Sequence, residues 1–166
     1  MPHFEQIHAK IKTPAQLAES IAVWRAAGDT IVFTNGCFDL LHYGHLHYLA
    51  QARDLGQRLV IGLNSAASVR RLKGPTRPIN DELTRTHQMA ALAFVDAVVV
   101  FEADTPYDLI QQVQPDILVK GGDWRPEQIV GSDLVLVRGG QVLSLPFVEG
   151  YSTTNIEQKI LGNRGE

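Results

Sequence analysis

A single cysteine, Cys37, stands in a chain of 166 residues. It cannot close an internal disulfide, so packing alone must hold the fold, and a reducing compartment is its natural setting. No apolar run approaches the roughly 20 residues of a bilayer-crossing helix, and the opening MPHFEQIHAKIK lacks the apolar centre of a secretory leader. These absences lead us to expect a cytoplasmic protein without membrane contact. An excess of one charge sign is missing too: 15 Lys and Arg against 18 Asp and Glu give a net charge of −3. That argues against a general nucleic-acid or anionic-membrane surface and still allows a local basic pocket. There is no G-x-x-x-x-G-K-[ST], so a Walker loop is absent. No G-x-G-x-x-G follows the first strand, so a dehydrogenase fingerprint is absent. Internal repeats and low-complexity linkers are absent as well. What remains is 45% hydrophobic and 20% charged, ordinary for one globular domain and too short for two comfortable ones.

The stretch Ile31 to Leu55, IVFTNGCFDLLHYGHLHYLAQARDL, organises the chain. Ile31-Val32-Phe33 is an apolar, β-branched opening that reads as a short buried strand. A turn is expected at Asn35-Gly36. A helix then begins near Gly44-His45, with Leu46, Leu49, Ala50 and Arg53 at helical spacing, and Gly56 is expected to stop it in the left-handed region. A helix start offers unpaired N–H groups and partial positive charge, so it attracts an anion. Gly36 and Gly44 lack a Cβ, which lets a phosphate approach the backbone. His42 and His45 add imidazole donors at the same mouth. An ordinary βα turn with two solvated or core histidines is the bland alternative; His-x-Gly-His directly after a strand favours a site. Cys37 beside a histidine could form a nucleophile pair, but a small buried thiol is the commoner role for cysteine. Zinc on Cys37, His42 and His45 would lack a fourth soft ligand at the usual spacing.

Residues 1 to 12 read as a loosely attached lead-in. Thr13-Pro14 caps a helix with Leu17, Ile21 and Trp24 as its apolar stripe, closed by Gly28-Asp29. Arg58 to Leu63 is a second buried strand, and Asn64-Ser65 caps a helix through Arg71. Lys73 to Pro78 is a basic, Gly/Pro-punctuated loop that suits a triphosphate. Asp81 to Ala93 is a helix with Leu83, Met89, Ala90 and Leu92 among its apolar positions. Val95 to Phe101 is a third strand, Thr105-Pro106 opens another helix, and Ile117 to Val119 is a fourth strand. Leu134 to Val137 and Gln141 to Leu145 read as paired strands about Gly139-Gly140. Ser152-Thr153-Thr154 precedes a closing amphipathic helix with Ile156, Ile160 and Leu161. Alternation of strands and helices implies an α/β, Rossmann-like doubly wound parallel sheet with helices on both faces. The expected organisation is a lead-in and helix over 1–27, a single domain over 28–161 and a tail over 162–166. Ligands of such sheets bind beyond the carboxyl ends of the strands, which places Asn64 and Lys120 to Trp124 on one edge with Gly36 and His45.

Thr34-Asn35-Gly36-Cys37-Phe38-Asp39 with His42-Tyr43-Gly44-His45 resembles the signature of the HxGH nucleotidylyltransferases, which join a nucleotide to a phosphorylated metabolite. Asn64-Ser65, Ser68 to Gly74, Arg77-Pro78, Val95-Asp96, Pro115-Asp116, Lys120 to Asp123, and Gly150 with Ser152 to Thr154 follow in that family's order. The ordered set, over about residues 28 to 161, is most similar to the adenylyltransferase domain that makes ADP-heptose from heptose 1-phosphate and ATP. The resemblance implies direct displacement at the α-phosphorus, with His42, His45, Lys73 and Arg85 as catalytic residues. It implies nucleotide contacts from Thr34, Asn35, Gly36, Cys37, Phe38, Asp39, Gly44 and Asn64. Lys120, Gly121, Asp123 and Trp124 would hold the nucleoside, and Ser152, Thr153 and Thr154 the outer phosphates. Mg²⁺ would bridge phosphate oxygens and reach Asp39. A homodimer and a separate sugar kinase supplying the acceptor are also implied. A cytidylyltransferase acting on glycerol 3-phosphate or another polyol or sugar phosphate is the enzymatic alternative, and a non-catalytic nucleotide-binding module is the other. The chain departs from the pattern at Ala66, commonly acidic, and at Trp124, frequently tyrosine; both bear on base and sugar choice.

Overall fold

The apolar, β-branched runs become the strands of one parallel sheet in the computed structural model, which describes residues 1–162. The strands are β1 (Ile31–Gly36), β2 (Arg58–Asn64), β3 (Ala97–Phe101), β4 (Ile117–Gly121) and β5 (Gln141–Leu145), ordered β3-β2-β1-β4-β5. The chain first steps outward from β1 to β3, then returns to the other side of β1 as β4. The order therefore reverses between β1 and β4, and a ligand crevice opens there at the carboxyl ends. Every ladder is parallel, with Val32 and Phe33 of β1 opposite Ile117 and Leu118 of β4.

Among the described residues eight α-helices accompany the sheet: α1 (His3–His8), α2 (Pro14–Ala26), α3 (Tyr43–Asp54), α4 (Ala66–Lys73), α5 (Glu82–Ala91), α6 (Tyr107–Val113), α7 (Ser132–Leu136) and α8 (Thr153–Gly162). Side chains alternate along each strand, so β1 feeds two cores. Ile31 and Phe33 join Leu17 and Ile21 of α2 and Leu109, Ile110 and Val113 of α6 on one face. Val32 joins Tyr48, Leu49 and Ala52 of α3 and Met89 and Ala90 of α5 on the other. Each fully buried aliphatic or aromatic side chain contributes about 1.5–3 kcal/mol. The doubly wound parallel sheet is the architecture that the alternating pattern implied. Thr13 caps α2 by accepting from the Gln16 amide while Gln16 reaches back to the Thr13 amide.

Several local expectations are corrected. The first twelve residues are not loose: Ile11 bridges to Val98, with Lys12 N–H donating to Val98 O and Val98 N–H to Lys10 O, both at 2.8 Å. The exposed edge of β3 has unpaired backbone groups, and this segment takes them up. Phe4 of α1 stacks on His87 at 5.6 Å. Asn35-Gly36 is not a turn; both pair with Gly62 and Leu63 inside the sheet, and the turn starts at Cys37, with Phe38 at φ 43. Gly56 is not left-handed: the helix closes at Leu55 in a right-handed conformation. Glycine is needed there because a Cβ would lie 2.8 Å from both Thr30 O and Val32 Cγ2. The buried face of α3 is Gly44, Tyr48, Leu49 and Ala52, while Arg53 pairs with Asp96. Leu83 is 70% exposed; α5 instead buries Arg85, Thr86, Met89 and Ala90. Thr105 does not cap α6, whose cap position is Pro106 without a side-chain bond. Residues 132–136 form a helix, not a strand, entered through left-handed Gly131 at φ 83. Only 141–145 is a strand, and it runs parallel to β4. A short apolar run serves a buried helix as well as a strand. Residues 163–166 of the expected tail lie outside the described residues.

Candidate active site

A cavity of about 830 Å³ lies at the carboxyl ends of β1, β2 and β4, walled by the loop after α4 and by the start of α8. It brings together Asn35, Gly36, Cys37, Phe38, Asp39, His45, Asn64, Lys73, Lys120, Trp124, Thr153 and Thr154. His42 is the cap residue of α3, extended at φ −141 and ψ 170, and its side chain bonds none of the first-turn amides. Its ring stacks on that of His45, centroids 3.8 Å apart, and Phe38 meets His45 edge-on at 5.4 Å. His45 faces the large cavity, whereas His42 opens on a smaller one of about 240 Å³ beside Tyr43, Tyr151 and Ser152. The space above the two glycines has a different use from the expected one. A Cβ at Gly36 would meet the Phe38 ring at 3.0 Å, and a Cβ at Gly44 would meet the His42 ring at 3.1 Å. Both glycines admit an aromatic ring of the protein, and Gly36 also lines the cavity.

Burial governs the charges. It pushes the His45 imidazole down to about 4, with the neighbouring His42 adding to the effect. Burial lowers His42 as well. Both rings are therefore neutral donors and acceptors at neutral pH. The Nδ1 atoms of His42 and His45 are buried without a hydrogen-bond partner among the described residues, so each retains capacity for a ligand. Burial lowers Lys120, and the nearby Lys73 pushes the same way. An anion entering between these lysines restores the balance of charge. Burial raises the Cys37 thiol, more than offsetting Lys73 and Arg85. A thiol held protonated is a poor nucleophile.

Other expected residues sit away from the cavity wall. Thr34 is buried, its hydroxyl 2.7 Å from Tyr48 Oη. Arg85 is fully buried behind the wall, and its Nη1 donates to the carbonyls of Cys37 and Asn64, each at 2.8 Å. It thus ties the ends of β1 and β2 together. Gly44, Gly121, Asp123 and Ser152 are not in the lining. Ser152 caps α8, accepting from the Asn155 amide at 3.0 Å, and Asp123 is exposed. Gly122, at φ 124, lets Trp124 fold back: a Cβ there would be 2.8 Å from Trp124 Nε1. Asp39 does not suit a metal. Its carboxylate accepts the Ile79 and Asn80 amides at 2.8 Å each and faces Arg77 Nε at 3.0 Å. No group of three or more His, Cys, Asp or Glu side chains among the described residues is placed to hold a metal ion. The donor set fits magnesium only as an ion carried on a ligand's phosphates.

Sequence reasoning placed Arg77 only as part of a triphosphate-facing loop and gave no role to Glu157; both line the cavity and pair with each other. It also left out Asp104, Thr105 and Pro106 after β3, and Gln128, Ile129 and Val130 near α7. The rule that ligands meet strand ends could have found the residues after β3. Nothing local signals Glu157, whose partner is 80 residues away.

A parallel sheet that changes direction beside an imidazole-flanked helix start, with lysines and hydroxyls around one crevice, defines an α/β fold built to handle nucleotide phosphates. The cytidylyltransferase-like family model matches residues 33–159, and the chain belongs to that family. Among individual proteins, it is 60% identical over 153 residues to the bifunctional protein HldE of Trichlorobacter lovleyi, covering 92% of this chain and 31% of that one. It is 55% identical over 159 residues to the HldE of Syntrophotalea carbinolica, covering 96% and 32%. The chain thus spans about a third of the length of the curated relatives it matches. The crystal structure of the lipopolysaccharide core biosynthesis protein from Thermoplasma volcanium GSS1 superimposes with a TM-score of 0.59 at 27% identity, over 75% of this chain and all of that one. No helix among the described residues is long and apolar enough to cross a membrane.

Proposed function

We propose that the chain is a nucleotidyltransferase that moves AMP from ATP to a heptose 1-phosphate, releasing pyrophosphate and giving ADP-heptose for lipopolysaccharide core synthesis. One observation carries the reading: a single crevice at the switch point gathers His45, Lys73, Lys120, Thr153 and Thr154 around the mouth of α3. The family membership, the HldE relatives and the ordered motifs support it.

In the proposed reaction an oxygen of the sugar phosphate attacks the α-phosphorus. The bond from that phosphorus to the bridging oxygen breaks, and pyrophosphate leaves with the electron pair. Little covalent work falls to the protein; positioning and charge stabilisation carry the rate. Neutral His45 donates a hydrogen bond to the phosphoryl group in transfer, and His42, stacked against it, supports the same contact. Lys73 and Lys120 balance the growing charge. Thr153 and Thr154, at the start of a ten-residue helix, hold the outer phosphates, and the half-exposed Trp124 offers a face to the base. Arg85 acts as a positioning residue by fixing two strand ends. Magnesium commonly accompanies ATP in nucleotidyltransferases of this kind; no protein carboxylate is assigned to it here. A cytoplasmic homodimer, fed by a kinase that makes the sugar 1-phosphate, completes the proposal.

Pyrophosphate release on mixing the chain with ATP, Mg²⁺ and heptose 1-phosphate tests the reading. Release with CTP and glycerol 3-phosphate instead would transfer it to the cytidylyl alternative. Tight ATP binding without release under any acceptor would leave a binding module and refute the enzyme.

A further inference from the structure

Arg77 is the one guanidinium in the cavity lining among the described residues, and two carboxylates hold it. Its Nε lies 3.0 Å from Asp39, and its Nη1 donates to Glu157. The two partners differ in kind. Asp39 is nearly sealed, 3% exposed, and is fixed by the Ile79 and Asn80 amides, so it is a permanent anchor. Glu157 is 34% exposed, sits on the first turns of α8 and lines the same cavity. It has no hydrogen-bond partner other than Arg77 among the described residues. A carboxylate there stands one turn from Thr153 and Thr154, in a space that Lys73 and Lys120 line together with Asp39 and Asp104. For an anionic ligand it is a like charge, and it occupies the donor that suits phosphate best, since the guanidinium fork matches phosphate oxygens.

We propose that Arg77 is a polyphosphate-binding residue kept engaged by Glu157 until the ligand arrives, so that Glu157 weakens and tunes nucleotide affinity. The inference rests on the nucleotide reading above and adds a specific exchange to it. Asp39 keeps the guanidinium in place, Glu157 gives up its hydrogen bond, and a phosphate oxygen takes it. Because Glu157 belongs to α8 and Arg77 to the loop after α4, the exchange also releases the one ion pair that joins these two walls among the described residues. No bond to phosphorus is involved. The device sets how tightly the triphosphate, and later the pyrophosphate, is held.

Calorimetric titration of the full chain with ATP, and separately with inorganic pyrophosphate, tests this. Glu157→Gln is expected to tighten both about tenfold, and Arg77→Gln to weaken both about tenfold. In the Arg77→Gln background, Glu157→Gln is expected to gain about twofold or less, because the two residues act as a pair. Arg77→Lys, which keeps the charge without the fork, carries the Arg77 arm if Arg77→Gln does not fold. Unchanged or weaker binding by Glu157→Gln would overturn the proposal, as would an equal gain in both backgrounds. A merely structural ion pair would give weaker binding in either single variant. Pyrophosphate needs no nucleoside, so a tightening there with no ATP turnover would fell the adenylyltransferase reading alone. Normal turnover with no tightening would fell this inference alone.

Discussion

Replacing His45 with alanine separates chemistry from folding more cleanly than any other change in the site. The ring stacks on His42 at 3.8 Å and meets Phe38 at 5.4 Å, contacts worth about 0.5–1.5 kcal/mol each. Against that loss, its Nδ1 is buried without a partner among the described residues, and removing an unsatisfied polar atom returns about 1–3 kcal/mol. The two effects largely cancel, so the expected change in stability is within about 1 kcal/mol, or roughly 2–4 °C in Tm for a domain of this size. Turnover is another matter. Loss of one preorganised donor to the transferring group costs about 10²–10³-fold, or roughly 3–4 kcal/mol. If the donor acts mainly in the transition state, kcat falls and KM hardly moves. Steady-state pyrophosphate release, run beside a thermal melt, measures both quantities. A folded His45→Ala protein whose turnover stays within about threefold of the parent would falsify the assignment.

The same histidine gives a pH signature. Its folded value near 4 lies below its ordinary 6.5, so between those limits the unfolded chain binds the proton more readily. Stability is complete above pH 6.5 and declines as pH falls toward 4; urea midpoints across this window should flatten in His45→Ala, and parallel curves would count against the shift. Arg85→Met strips two charge-assisted bonds from the Cys37 and Asn64 carbonyls but also removes Nε and Nη2, which have no partner among the described residues. The expected net cost is about 1–3 kcal/mol, with an unmoved denaturation midpoint as the contrary result. Gly56→Ala places a methyl 2.8 Å from Thr30 O and is expected to cost about 1–3 kcal/mol; a neutral melt would show that the strand can shift aside.

The sheet and the organising motif were legible because their signals are local. Ile31-Val32-Phe33 and the run from Arg58 to Leu63 are apolar over a strand's length, and His-x-Gly-His sits beside the first of them. The edge on which Asn64 and Lys120 would appear followed from the parallel topology alone. What escaped was whatever depends on partners far along the chain. Gly36, Gly44 and Gly56 were visible as glycines, but the Phe38 ring, the His42 ring and the Thr30 carbonyl that require them were not. The run from Leu134 to Val137 has strand-like composition, and only its setting after left-handed Gly131 makes it helical. Arg85 was marked by resemblance as catalytic; its Nη1 donates to two backbone carbonyls, and it lies outside the cavity lining.

That last placement has an architectural consequence. One cation riveting the ends of two neighbouring strands makes the floor of the crevice a single rigid plate, so the spacing between its β1 and β2 sides cannot be retuned one side at a time. Ligand preference must then evolve through the surrounding rim, in the segments after β3 and β4 and along α8, while the floor stays constant.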